Sequence, residues 1–234
     1  MAFRSLSFIT CVAVPQRYEQ CHASIAKLAP HGSVVTVDTI QNLDNVHSAP
    51  DALNLGWERA SSDVLVFCHE DIVFPEDWIA HLKASIQRVE NEVGRNWGVL
   101  GPVGRAGKTF AGFYADDVSA VRYGRLPAQV ETLDELCLIV RRELPLRFDE
   151  RLGGFHLYGV DLAIQCLEAG LSNWAIDAFL FHHTSSRGRF SRPPQYRRIL
   201  RKLQRKWMWR RRHVGKRIGT TCGQVHFGVS HGWF

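Results

Sequence analysis

Asp63-Val64-Leu65-Val66-Phe67-Cys68-His69-Glu70-Asp71 is the stretch on which the fold turns. Residues 64–68 form an unbroken apolar run, which suits a strand buried on both faces. The run stops at three polar side chains able to bind metal or move protons. A strand covered on both faces needs helices above and below it, and the flanking sequence supplies them. Residues 50–60 read as a helix despite Gly56, and residues 75–93 as a long amphipathic helix opened by proline. Further out, residues 6–14 read as a buried strand ended by Pro15. A helix with apolar positions Ile25 and Leu28 follows, then a short strand over residues 33–37 with Asp38 just past it. Residues 97–100 and 136–140 add strands, residues 159–168 a helix closed by Gly170, and residues 174–181 a last strand ending in His182-His183. Strands alternating with helices predict a three-layer α/β sandwich on a mainly parallel central sheet.

In such sheets ligands sit beyond the carboxyl ends of the strands. Pro15, Asp38, His69-Glu70-Asp71 and His182-His183 all fall at such ends in this reading. Glu70 and Asp71 must be solvated, paired or metal-bound there, because burying a bare carboxylate is costly. Hard oxygen ligands suit Mg²⁺ or Mn²⁺ held jointly with substrate phosphates. The same spacing also fits an ordinary strand-end cap, and Asp77 stands near the next helix to share that work.

The chain has 234 residues, 45% hydrophobic and 22% charged, enough apolar material for a real core and too much for global disorder. No run approaches the roughly 18 apolar residues of a membrane-spanning helix. The apolar run at residues 8–14 is short and lacks a cleavage pattern, so it does not read as a signal peptide. Six cysteines without a CxxC pair argue for a reduced, cytoplasmic setting. The net charge of +6 hides a split. Residues 187–217 hold 14 of the 29 Lys and Arg and no Asp or Glu, so the rest is a formal −8. Residues 187–194, with Pro193-Pro194, read as the joint between a body over residues 1–186 and a basic extension over residues 187–234. In that extension Tyr196, Ile199, Leu200, Leu203 and Trp207 recur at helical spacing among arginines. Such a cationic amphipathic helix suits a peripheral contact with anionic lipid at the inner face of a membrane. Packing of the stripe on the acidic body is the competing use, and attraction to nucleic acid a weaker one. Gly101 to Thr109 looks like a phosphate-binding loop, but Pro102 stands where the first glycine is required.

Three groups of residues together carry a resemblance. The first runs from Asn54-Leu55-Gly56-Trp57 through Ala60-Ser61-Ser62-Asp63 to His69-Glu70-Asp71. The second is Arg147-Phe148-Asp149-Glu150, then Tyr158-Gly159-Val160-Asp161-Leu162 and Glu168-Ala169-Gly170. The third is the strand ending in His182-His183. In order and spacing they resemble the family 2 glycosyltransferases of the GT-A fold, in a bacterial form with His-x-Asp in place of Asp-x-Asp. The resemblance spans roughly residues 5–186.

It implies a GT-A-like fold, a nucleotide-sugar donor with UDP-sugars favoured, and a glycan or lipid-linked acceptor. A divalent ion would be held by Asp71, His69 and a histidine of the 182–183 pair. Only one of that pair can face the site, and His183 is the expected one. Imidazole at position 69 favours a softer ion than Mg²⁺, hence Mn²⁺. Donor contacts are implied for Pro15, Asp38, Asn54, Glu70 and Asp134. The departure lies at the family's catalytic base, whose place is taken here by Gly159. Asp161, in a helix's first turn, is the first candidate to replace it, with His156 and Asp134 behind. A missing base also leaves room for a protein that binds a nucleotide sugar without transferring it. A nucleic-acid binder acting through residues 187–217 is the remaining reading.

Overall fold

A computed structural model describes residues 3–183, 194–211, 213–215 and 217–227. The joint at residues 187–193 and the end of the chain from 228 lie outside the described residues. The chain opens with β1 (Ser5–Val12), α1 (Pro15–Ala26), β2 (Val34–Gln41), α2 (Ala49–Arg59), β3 (Val64–Cys68), β4 (Ile72–Val73) and α3 (Trp78–Val93). It continues through β5 (Trp97–Gly101), β6 (Val103–Ala106), β7 (Thr109–Asp116), β8 (Ala120–Tyr123), β9 (Ala128–Val130), β10 (Thr132–Leu133) and β11 (Cys137–Arg141). Then come α4 (Tyr158–Glu168), β12 (Ser172–Ala175), β13 (Phe181–His182), α5 (Pro194–Trp207), β14 (Arg217–Thr220) and β15 (Gly223–His226).

Seven strands form the central sheet in the order β2-β1-β3-β11-β5-β12-β9. Five run one way, and β11 and β9 run against them. Alternation along β3 sends Val64, Val66 and Cys68 to the core under α1 and α3, and Leu65 and Phe67 to the core under α2 and α4. The continuous apolar run at residues 64–68 is therefore the signature of burial on both faces. Each such fully buried side chain contributes on the order of 1.5–3 kcal/mol. Gly56 has a packing reason: a Cβ there would fall on the Ile9 side chain of β1. The glycine lets α2 lie close against the sheet.

A second sheet, β10-β6-β7-β13-β4 with β8 on β7, stands beside the first. Here two expectations need correction. The single strand expected over residues 174–181 is two short strands in different sheets, because the chain leaves β12 and pairs again as β13 with β4 and β7. Asp38 does not follow β2 but lies within it, opposite Ile9, since the β-branched run continues to Ile40. The phosphate-loop look-alike is a hairpin, β6 to β7, turning at Gly107 with φ +56°.

The apolar stripe of α5 is not a free face. Tyr196, Ile199, Leu203 and Trp207 are buried against Leu152, Leu157, Val160 and Ile164, joined by Ile218 and Val225 of the final hairpin. The stripe expected to meet lipid is thus covered by the body; Arg197, Arg198, Arg201 and Arg205 face outward. Asp161 of α4 fixes this contact. It is fully buried and accepts from Trp207 Nε1 at 2.7 Å, Lys206 Nζ at 2.8 Å and Gln165 Nε2 at 2.8 Å. Lys206 also pairs with Asp149 at 2.8 Å. Those partners tie Asp161 to the α5 side, which removes it from the role of acceptor base. Among the described residues no helix is long and apolar enough to cross a membrane.

Asp161→Ala leaves a largely buried ammonium short of a partner and an indole N–H unbonded. The expected loss is about 3–5 kcal/mol of stability, read as a lower denaturant midpoint together with faster proteolytic release of the C-terminal segment.

Candidate metal and donor site

The site forms where β3 runs out. β4 starts directly after Asp71 and pairs antiparallel with β13, setting His182 opposite Ile72. The backbone N–H of His183 donates to the carbonyl of Asp71 at 2.8 Å. These short ladders bring His182 Nε2 to 3.3 Å from Asp71 Oδ1. The His69 ring lies 5.8 Å from the His182 ring. One donor atom from each of His69, Asp71 and His182 falls within 4.8 Å of the others. Strand alternation selects His182 and turns His183 away, where its Nδ1 meets Asp117 at 3.0 Å. The preference for His183 is corrected accordingly. Two imidazoles and a carboxylate suit Mn²⁺ better than Mg²⁺, which prefers an all-oxygen shell.

The electrostatics agree with such a set. Burial, and then the charge of His182, lower the pKa of His69 and keep its ring neutral. Burial would raise the Asp71 carboxyl, but the bond and charge of His182 outweigh it and hold its pKa below the usual range. Burial likewise opposes the charged form of His182, yet Asp71 raises its pKa. His69 Nε2 meets the buried Tyr158 hydroxyl at 3.1 Å, a contact that orients the ring.

A cavity of about 190 Å³ opens here, lined by His69, Glu70, Asp71, Glu135, Phe155 and Tyr158 among others. Of the residues expected to touch a donor, Glu70 lines it, accepting from Ala13 N at 2.7 Å and Val14 N at 2.9 Å, and so shapes the turn from β1 into α1. Asp134 accepts from Leu136 N at 3.1 Å, and its charge reaches both His69 and His182. Pro15 opens α1 in an exposed position. Asn54 is buried and ties its own family-like segment to the one at residues 147–150, donating to the Phe148 carbonyl and Glu150 Oε1, both at 2.9 Å. It is a brace rather than a cavity wall. His156 stacks edge-on to Tyr196 at 5.8 Å, and burial lowers its pKa.

Sequence reasoning missed Glu135 and Tyr158. Glu135 Oε1 accepts from Gly159 N at 2.9 Å, and burial raises its carboxyl to about 8 against the pull of backbone amides at the start of α4. Glu135 belongs to no local motif, and Tyr158 stands in the Tyr158–Leu162 motif without a role being read for it. The one available signal was Gly159 itself, a gap waiting for a carboxylate from elsewhere.

No protein-family model matches the chain. It is 30% identical over 184 residues to ATP synthase subunits region ORF 6 of Fuscovulum blasticum, covering 75% of this chain and 70% of that one. Solved structures share the fold at low identity. GalNAc-T7 with UDP, GalNAc and Mn²⁺ aligns at TM-score 0.62 and 12% identity over 89% of this chain, which spans 49% of that structure. TarS of S. aureus with UDP-GlcNAc gives 0.58 and 10% over 88% of this chain and 67% of that one. The mannosyltransferase PcManGT of Pyrobaculum calidifontis, with GDP-Man and Mn²⁺, gives 0.52 and 14% over 90% and 72%. The fold is thus GT-A-like.

Removing a ligand should separate the two adjacent histidines. His182→Ala should weaken Mn²⁺ binding in calorimetry by about 100-fold or more, whereas His183→Ala should shift it by less than about 10-fold, the lower end of outer-shell effects.

Proposed function

This chain belongs to the family of ATP synthase subunits region ORF 6 of Fuscovulum blasticum, and we propose that it is a glycosyltransferase using a nucleoside-diphosphate sugar. The observation that carries this reading is the His69–Asp71–His182 set on one wall of a cavity, at the end of a core strand. It is supported by the fold shared with structures solved with UDP, UDP-GlcNAc or GDP-Man, two of them with Mn²⁺. UDP-sugars are the favoured donors.

The three side chains would hold Mn²⁺ or Mg²⁺, which supplies charge stabilisation for a departing diphosphate. The rest is work for the protein's own groups. Tyr158 fixes the ring of His69. Glu70 fixes the turn after β1 by accepting from the Ala13 and Val14 amides. Pro15, Asp38 and Asp134 complete the proposed donor side. Phe155 and the aromatic ring of Tyr158 give the cavity an apolar wall, which helps exclude water. The acceptor is a hydroxyl of a glycan or lipid-linked glycan, and transfer inverts the anomeric centre.

A second reading, a nucleotide-sugar binder without transfer, draws on Gly159 at the family's base position. Calorimetry with a panel of UDP- and GDP-sugars tests the common part of both. Mn²⁺ should strengthen binding of at least one donor by about tenfold or more, and Asp71→Ala should erase that gain. Donor binding indifferent to the ion and to Asp71 would contradict the proposal.

A further inference from the structure

Gly159 lies in the first turn of α4, next to the cavity-lining Tyr158, and the space above it is filled by the side chain of Glu135, with Leu138 Cδ1 beside it. A Cβ built at position 159 would lie 2.8 Å from Glu135 Cγ and 3.6 Å from Glu135 Oε1. The Glu135 carboxyl therefore occupies the volume into which an acidic side chain at 159 would project. It reaches there from the segment between β10 and β11 and lines the cavity together with Tyr158. Its position is held by the backbone: Gly159 N donates to Oε1 at 2.9 Å, and the amides of Leu157 and Val160 also bond to it. Leu157 adopts φ +64°, a left-handed conformation rare for a bulky residue. That turn aims successive amides at one carboxylate, and strained backbone of this kind gathers at functional sites.

We propose that Glu135 is the general base of the transfer reaction, supplying from β10–β11 the carboxylate that Gly159 lacks. The proposal rests on the glycosyltransferase reading above. In the step, the acceptor O–H proton passes to the Glu135 carboxylate. The acceptor oxygen bonds to the anomeric carbon, and the bond from that carbon to the diphosphate oxygen breaks. The electron pair leaves with the nucleoside diphosphate. Charges balance: the carboxylate is neutralised, and the diphosphate gains one negative charge. Burial gives Glu135 a proton affinity near neutrality, where a base works best. The site Gly159 vacates and the site Glu135 fills are one place, so the glycine and the glutamate are a matched pair.

The test uses water as acceptor, so no acceptor need be known. Donor hydrolysis and donor binding are measured on the full chain with Mn²⁺ and the best-bound nucleotide sugar. E135Q retains an oxygen for the Gly159 amide and should stay folded. The expected result is a fall in kcat of about 100-fold or more, with donor affinity by calorimetry unchanged within about threefold. Hydrolysis by E135Q at the wild-type rate overturns the assignment. Loss of donor binding along with turnover also overturns it, by making Glu135 a brace for α4. A second variant moves the carboxylate: Glu135→Ala removes the obstructing Cγ, and adding Gly159→Asp should restore at least about tenfold over Glu135→Ala alone. A folded double variant with no recovery counts against the proposal. A wild-type chain with no Mn²⁺-dependent donor uptake sinks the glycosyltransferase reading and Glu135's role together. A wild type that binds and hydrolyses donor while E135Q keeps pace sinks only the latter.

Discussion

The pairing of two-residue strands β4 and β13 is the constraint on which the site depends. Without it, His182 belongs to a loop more than a hundred residues from Asp71 in the chain. With it, one imidazole is set 3.3 Å from the carboxylate, and the neighbouring imidazole is turned toward Asp117. Short strands have little stability of their own. This pair is held because β13 also lies parallel to β7 and because Ile72 and Leu180 are fully buried in the main core. Packing deep in the body thus sets the spacing of atoms at the surface of the cavity.

The same logic governs the basic extension. Its apolar stripe covers the outer side of α4, and Asp161, Lys206 and Asp149 form a buried polar link across that contact. Arg151 and Lys206 both bond Asp149, and together they overcome its burial and lower its pKa well below the ordinary carboxylate range. Its α4 member, Asp161, sits about half a turn beyond Gly159. The helix that presents Tyr158 to His69 and Gly159 to Glu135 is therefore clamped from behind by α5.

Much of the fold was legible because the apolar runs were unambiguous. Residues 64–68 could hardly be anything but a strand buried on both faces, and the long helix after it had a full amphipathic pattern. His69 and Asp71 were legible for the same reason, as polar residues stranded at the end of such a run. What failed were readings that needed a partner distant in sequence. Asp161 looks like a first-turn acid with a free carboxylate until α5 folds onto it. His182 and His183 cannot be told apart until the register with Ile72 is known. Glu135 carries no local motif and gains its meaning from a glycine twenty-four residues later. The amphipathic stripe of α5 is the same pattern whether it meets lipid or protein, and only the facing residues Leu157, Val160 and Ile164 decide.

The trio at the end of β3 is where the physical case stands or falls, and anomalous diffraction near the manganese edge looks at it most directly. Crystals of the intact chain grown with Mn²⁺ and UDP should show one strong peak bonded to His69, Asp71 and His182, with the diphosphate completing its shell. A peak on His183 and Asp117, or none within reach of Asp71 at saturating ion, would contradict it.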